Sequence, residues 1–166
     1  MLEKIHLDSI DYKILTLLLK NARTPFLEIA RECGISGAAI HQRVRKLEEN
    51  GVIEGSRILI KPRAVGLDVC AFVNIKISQS NNVFGPILDA LKTLPEIVEC
   101  HCIVGEYSLL VKAYCRDNDH LMDLLVNRLP SLPGVSSTSS FISVSQPIER
   151  AVPVNSNSKK KKASYE

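Results

Sequence analysis

The stretch PFLEIARECGISGAAIHQRVRKLEENGV, residues 25–52, reads as two short helices around a tight turn. A small residue at Ala30 lets a second helix cross close by, and Gly34 can take the left-handed backbone that the turn requires. Ile35 plugs the corner, and Ser36 can cap the next helix by accepting a backbone N–H. Ile40, Val44 and Leu47 continue the apolar side. This is the pattern of a helix-turn-helix, a unit that usually exists to place its second helix in the DNA major groove.

With 100° per residue, Ile40, Val44 and Leu47 of that second helix form a buried stripe. Ala38, Gln42, Arg45 and Lys46 lie opposite, with Ala39 and His41 on the flanks. Gln42 can offer a donor and an acceptor to adenine, and Arg45 can fork onto guanine or hold a phosphate. Ser36 and the first backbone N–H groups sit where a phosphate would approach the helix start. Arg43 lies beside the buried stripe and has two readings, a salt bridge to Glu28 or Glu32 or a phosphate contact. The candidate DNA-contacting set is therefore Ser36, Ala38, His41, Gln42, Arg43, Arg45 and Lys46. The plain alternative for its polar members is a solvated helix face.

Outward from this unit, Asp8-Ser9-Ile10-Asp11 can cap a preceding helix, with Asp11 reaching back in a capping box. Ile10, Ile14, Leu17 and Leu18 repeat at helical spacing. Pro25 suits a first helical position with Thr24 as the cap. Val52 to Ile60 alternates loosely, like the strand pair of a wing. The expected domains are a winged helix-turn-helix over residues 1–60, a joint at 61–67, a second domain at 68–154 and a disordered lysine-rich tail at 155–166.

In the second domain Val69 to Ile77 alternates as a strand, and Ile87, Leu88, Leu91 and Leu94 repeat as a helix. Ile97–Val104 and Leu109–Cys115 read as strands joined around Gly105-Glu106-Tyr107-Ser108. A helix over Asp117–Leu129 and a strand over Ser137–Ser145 complete the set. Strand-helix-strand-strand-helix-strand is the ferredoxin-like, split βαβ order, so the fold class is α+β. Its sheet carries helices on one face only. Phe72, Leu110 and Tyr114 on the other face would leave an apolar patch in water, which implies cover by a second subunit.

The 166 residues carry a net charge of +3, distributed unevenly. Residues 1–63 hold 11 Lys and Arg against 8 Asp and Glu, whereas residues 64–154 hold 6 against 9. A basic first part beside an acidic second part suits a DNA-reading module joined to something that does not touch DNA. No apolar run approaches the roughly 20 residues of a membrane span, and the start does not resemble a signal peptide. A cytoplasmic protein with no membrane partner is the expectation.

Five cysteines (Cys33, Cys70, Cys100, Cys102 and Cys115) read as small buried hydrophobes. Cys100-His101-Cys102 invites a metal reading, but on a strand His101 points away from the two cysteines, so no metal site is assigned. The histidines are scattered, and no Walker loop or His-Glu-x-x-His is present. No cofactor and no catalytic residue is assigned. A metabolite-sensing assembly protein that does not read DNA, and a ferredoxin-like enzyme, remain as the alternatives.

Leu7-Asp8-Ser9-Ile10-Asp11, Cys33-Gly34-Ile35-Ser36, Arg43-Val44-Arg45-Lys46-Leu47-Glu48 and Gly51-Val52-Ile53 together resemble the Lrp/AsnC, or feast/famine, family. The likeness continues through Val98-Glu99-Cys100-His101, Gly105-Glu106-Tyr107-Ser108, Leu132-Pro133-Gly134-Val135 and Thr138-Ser139-Ser140, and so covers about residues 5–150. The resemblance implies a winged helix-turn-helix joined to a RAM-type αβ-sandwich that dimerises and often assembles to octamers. It implies a regulator that binds double-stranded promoter DNA and responds to an amino acid or a related small metabolite. The family's effector pocket lies between dimers. It corresponds to Gly105, Glu106, Tyr107 and Ser108 together with Thr138 and Ser140. Where the family usually has Gly-Asp-x-Asp, this chain has Glu106 and Ser108. One carboxylate is longer and one is gone, which leaves an altered ligand and a lost one both open. Family members also often place a Thr at the position of Ala38.

Overall fold

The structure is a computed structural model, and it describes residues 6–78 and 84–154. The lysine-rich tail expected at 155–166 lies outside the described residues. The chain divides into two compact units, residues up to Ile58 with the stretch from Glu149, and Leu59–Ile148.

The first unit holds α1 (Ser9–Lys20), α2 (Phe26–Cys33) and α3 (Gly37–Glu49). Asp8 caps α1 by accepting the Ile10 and Asp11 N–H groups at 2.9 and 2.8 Å, and Asp11 accepts the Asp8 N–H at 3.1 Å. This is the capping box the sequence implies. Ile14, Leu15, Ile29, Ala30, Ile40, Val44 and Leu47 bury against one another as a single core. The Lys13 ammonium donates to the Glu32 carbonyl near the end of α2, where a cation meets the negative end of the helix dipole.

Two details differ from the sequence reading. Pro25 is itself the cap residue of α2, and its carbonyl accepts from Glu28 and Ile29. The Thr24 hydroxyl donates to the Asn21 carbonyl instead. The strand pair expected over Val52–Ile60 is not formed within the chain. The Val52 and Ile53 N–H groups both bond the Leu47 carbonyl, so they extend the end of α3 and cannot join a ladder. Ile58, Leu59 and Ile60 are 73%, 71% and 63% exposed, so their alternation buries nothing within the chain. Val154, at the end of the described residues, packs against the first unit's core.

The second unit is a four-stranded antiparallel sheet in the order β2-β3-β1-β4, with β1 Val69–Ile77, β2 Ile97–Cys102, β3 Leu109–Cys115 and β4 Val135–Ser143. Ala71, Val73 and Ile75 of β1 and Leu109, Val111, Ala113 and Cys115 of β3 point to one face. There they meet Ile87 and Leu91 of α4 (Phe84–Lys92) and Leu121 of α5 (Asn118–Asp123). Phe72, Leu110 and Tyr114 occupy the other face, as expected, and Phe72 pairs across the strands with Phe141, which is 59% exposed.

The last helix continues beyond α5 as a π-helical segment, Leu124–Arg128, where a regular α-helix was expected. Its wider turn is closed by the Leu129 N–H on the Leu124 carbonyl at 2.9 Å. One extra residue per turn stacks Leu129 over Leu124, and both are fully buried. Arg128 is thereby turned towards Glu96, whose carboxylate it grips with two N–H groups at 2.7 and 3.2 Å. His120 donates from Nε2 to the same carboxylate at 2.8 Å while its Nδ1 accepts the Arg116 N–H.

Burial works to raise the Glu96 pKa, but the hydrogen bonds from Arg128, its own backbone and His120, with the Arg128 charge, outweigh that and hold it at about 2. A carboxylate depressed on folding adds stability above its ordinary range of about 4.5, and that stability is lost as pH falls towards 2. Glu96→Gln is expected to cost about 2 kcal/mol near neutral pH. In urea unfolding the gap between variant and parent should close as pH drops from 5 to about 2, and a gap independent of pH would refute the assignment.

Candidate functional site

The turn before α3 is built as the sequence requires. Gly34 has φ +70°, and its N–H bonds the Arg31 carbonyl at 3.3 Å. The Ile35 N–H returns to the Ala30 carbonyl at 3.1 Å, closing the end of α2. The Ser36 hydroxyl then accepts the Ala39 N–H at 3.2 Å and caps α3. Because Ile40, Val44 and Leu47 are buried, the opposite face of α3 is presented outward. Ala38, His41, Gln42, Arg45 and Lys46 are all exposed there, with Ser36 exposed at its start.

Within that face, the Arg45 side chain is 79% exposed and pairs with Glu49 one turn on at 2.8 Å. Such an exposed pair holds a guanidinium only weakly, so Arg45 can be redirected to a base or phosphate at small cost. His41 sits edge-on to Phe26 with ring centroids 4.5 Å apart, so its ring is oriented from α2. Gln42 and Lys46 project beside it.

Arg43 does not make the salt bridge that the sequence reading offered. Neither Glu28 nor Glu32 is its partner. The guanidinium Nη1 donates to Asp8 at 2.8 Å and to Asp11 at 2.7 Å, so one arginine ties α3 to the capping box of α1. Its hydrogen bonds to the Asp11 and Asp8 carboxylates raise the Arg43 pKa. The Asp8 carboxyl is lowered, chiefly by the Asp11 backbone N–H against the penalty of burial, with Arg43 adding to the effect. Sequence reasoning read Asp8 and Asp11 only as a cap, because a carboxylate's second task does not show in its spacing.

In the second unit the loop Gly105–Ser108 and the strand β4 meet at one end of β1. The Ser108 N–H bonds the Ile75 carbonyl at 3.0 Å, and Thr138 is the Cα partner of Ile75 on the other side. Ser140 lies opposite Val73, on the same face as Thr138. Gly105 has φ +151°, a backbone state that disfavours any other residue there. Glu106 is drawn the other way, its carboxylate 3.8 Å from the Lys76 ammonium. Thr138 and Ser140, opposite Ile75 and Val73, share their sheet face, whereas Lys76 points to the other one. The loop and Thr138 thus flank the same residue of β1 from opposite sides, and the Glu106 carboxylate is turned to Lys76. Lys76 was not singled out in the sequence, since a lysine on a strand carries no signal of its partner.

The expected burial of all five cysteines does not hold. Cys115 alone is buried, Cys33 and Cys70 are half-buried, and Cys100 and Cys102 are exposed. The last two lie on an edge strand whose outer flank is open.

Comparison with known proteins agrees with this architecture in both units. The winged helix-turn-helix DNA-binding family matches residues 7–54, and the Lrp/AsnC ligand binding domain matches residues 70–153. The Regulatory protein AsnC of Escherichia coli strain K12 is 35% identical over 151 residues, covering 91% of this chain and 99% of that one. The solved structure of E. coli AsnC superposes with a TM-score of 0.82 at 34% identity, over 89% of this chain and 99% of its own. The Mycobacterium tuberculosis Leucine response regulatory protein (LrpA) gives a TM-score of 0.79 at 30% identity, over 90% and 100%.

The Arg43 clamp is expected to show as coupling between α3 and α1. In a double-mutant cycle on unfolding free energy, Arg43→Ala and Asp11→Asn should couple by about 1 kcal/mol. Additive losses would mean that the bond adds nothing to the helix arrangement.

Proposed function

The chain belongs to the Lrp/AsnC family and is a DNA-binding transcriptional regulator with a ligand-binding domain, and on that premise we propose which residues do each task. The exposed face of α3, held outward by its buried Ile40-Val44-Leu47 stripe, is the observation that carries the proposal. Gln42 reads an adenine edge and Arg45 forks onto a guanine. His41 and Lys46 flank them, Ala38 lets the helix approach closely, and Ser36 with the first N–H groups of α3 receives a phosphate. Arg43 contacts no DNA and positions α3 through Asp8 and Asp11.

The effector is an amino acid or a related small metabolite, in keeping with the name of the leucine response relative. The N–H groups of Gly105, Glu106 and Tyr107 take its carboxylate, and Thr138 and Ser140 fill further hydrogen bonds. Glu106 takes the ammonium once it leaves Lys76, to which it is held by a single exposed pair. The sheet face bearing Phe72, Leu110, Tyr114 and Phe141 is covered by a second copy of the chain. Dimers then assemble further, to octamers, and two α3 helices enter successive major grooves. Among the described residues no helix is long and apolar enough to cross a membrane. The protein acts on promoter DNA in the cytoplasm, by binding and without catalysis.

Arg45→Ala is expected to weaken binding to a selected operator by about 1–3 kcal/mol and binding to random duplex by much less, in a mobility-shift titration at fixed salt. Equal losses would make Arg45 a phosphate contact. For the ligand, Glu106→Ala and Thr138→Ala should each reduce amino-acid binding by calorimetry while light scattering shows no species smaller than a dimer. Unchanged heats for both variants would remove the loop from the effector site.

A further inference from the structure

Two of the five thiols stand apart from everything described so far. Cys100 and Cys102 lie on β2, the strand at the edge of the sheet, and both are exposed. Their Cα partners on β3 are Val111 and Leu109, which are fully buried on the helix-covered face. Directly opposed residues of an antiparallel pair project to the same side, so both thiols point to the side that carries the helices. There they line a groove with Leu88, Leu91 and Lys92 of α4 and with Ile97, Val98 and Glu99 of β2, the Glu99 carboxylate being turned away to Lys112. His101 faces the other way, 3.7 Å from Glu99, which itself bonds Lys112 at 3.3 Å. A break in register between Ile97 and Glu99 puts Glu99 on that far side.

The spacing decides what two such thiols can do. Residues two apart on a strand have Cα atoms about 6.5 Å apart, at the outer limit of what a disulfide spans without strain. A bridging ion relaxes that limit. Two thiolate–metal bonds of roughly 2.3 Å in line put the sulfurs about 4.6 Å apart, within reach of side chains that lean towards each other. Ligand number then selects the ion. Zinc wants four ligands, and among the described residues no group of three or more His, Cys, Asp or Glu is placed to hold a metal. Two thiolates alone suit a soft ion of low coordination number, and soft thiolate ligands favour Cu(I).

We propose that Cys100 and Cys102 form a two-thiolate site for a monovalent copper ion on the helix side of β2. Two S–H bonds break, two Cu–S bonds form, and both protons leave to solvent, giving a complex of net charge −1 with no change of oxidation state. Leu88 and Leu91 line one side of the groove, and Lys92, paired with Asp89 at 2.9 Å, stands at its edge.

The test uses the full chain, reduced and kept free of oxygen, titrated with Cu(I) supplied as its coloured bicinchoninate chelate. One Cu(I) per chain should leave the chelate, and X-ray absorption should find two sulfur neighbours. Cys100→Ser and Cys102→Ser should each abolish the transfer, whereas a Cys33→Ser, Cys70→Ser double variant should retain one ion. Both mutated thiols are exposed, and circular dichroism should match the parent. The proposal is overturned if no copper leaves the chelate, if a Cys100→Ser, Cys102→Ser double variant still binds one ion, or if three or more sulfurs surround the metal.

Discussion

The first unit depends on one residue that leaves right-handed backbone. Gly34 at φ +70° ends α2 and reverses the chain. Nothing lies within 4 Å of where its Cβ would be, so the demand is for a conformation and not for space. An L-residue with a side chain would oppose that conformation by roughly 1–2 kcal/mol. The hydrogen bond from Ile35 to Ala30 and the Ser36 cap follow from that reversal. Together they fix where α3 begins, and the burial of Ile40, Val44 and Leu47 fixes how it is rotated. Arg43 adds a second attachment to α1. Orientation by both turn and clamp is what an element needs if it is to meet base edges as a rigid body.

In the second unit a single carboxylate organises one side of the helix layer. Glu96 precedes β2 and gathers Arg128 and His120 from the last helix. The π-helical turn serves both ends of that arrangement, since it buries Leu129 and frees Arg128 to reach Glu96. The opposite sheet face is different in kind. Phe72, Leu110, Tyr114 and Phe141 have no helix over them, and Lys112 lies 5.5 Å from the Tyr114 ring centroid. A helix-covered face makes the unit fold, and the uncovered apolar face is the surface on which we propose that a second copy packs.

Most of this was legible in residue order because the signals were local. Gly34, the Ser36 cap and the Ile40-Val44-Leu47 stripe act within a turn or two, and α3, β1 and β3 fall where their periodicity places them. The four strands and two helices of the second unit came from alternation and helical spacing, which also gave the face on which each residue lies. What escaped depends on partners distant in sequence. The Arg43 partners lie 32 and 35 residues away. The Lys76–Glu106 pair joins a strand to a loop on another hairpin. The strand pair expected over Val52–Ile60 failed because alternation supplies a pattern but not a partner, and the first two N–H groups were already committed to Leu47. The cysteines misled because an apolar neighbourhood in sequence does not reveal an edge strand.

Methylation interference tests the central claim most directly, because dimethyl sulfate modifies guanine at N7 in the major groove and adenine at N3 in the minor groove. The DNA would be a duplex selected from a random pool by the full-length protein. If the outward face of α3 enters the major groove, guanine N7 methylation should block binding in two patches about one helical turn, or a multiple of it, apart. Interference confined to adenine N3, or none at guanine N7, would contradict the account.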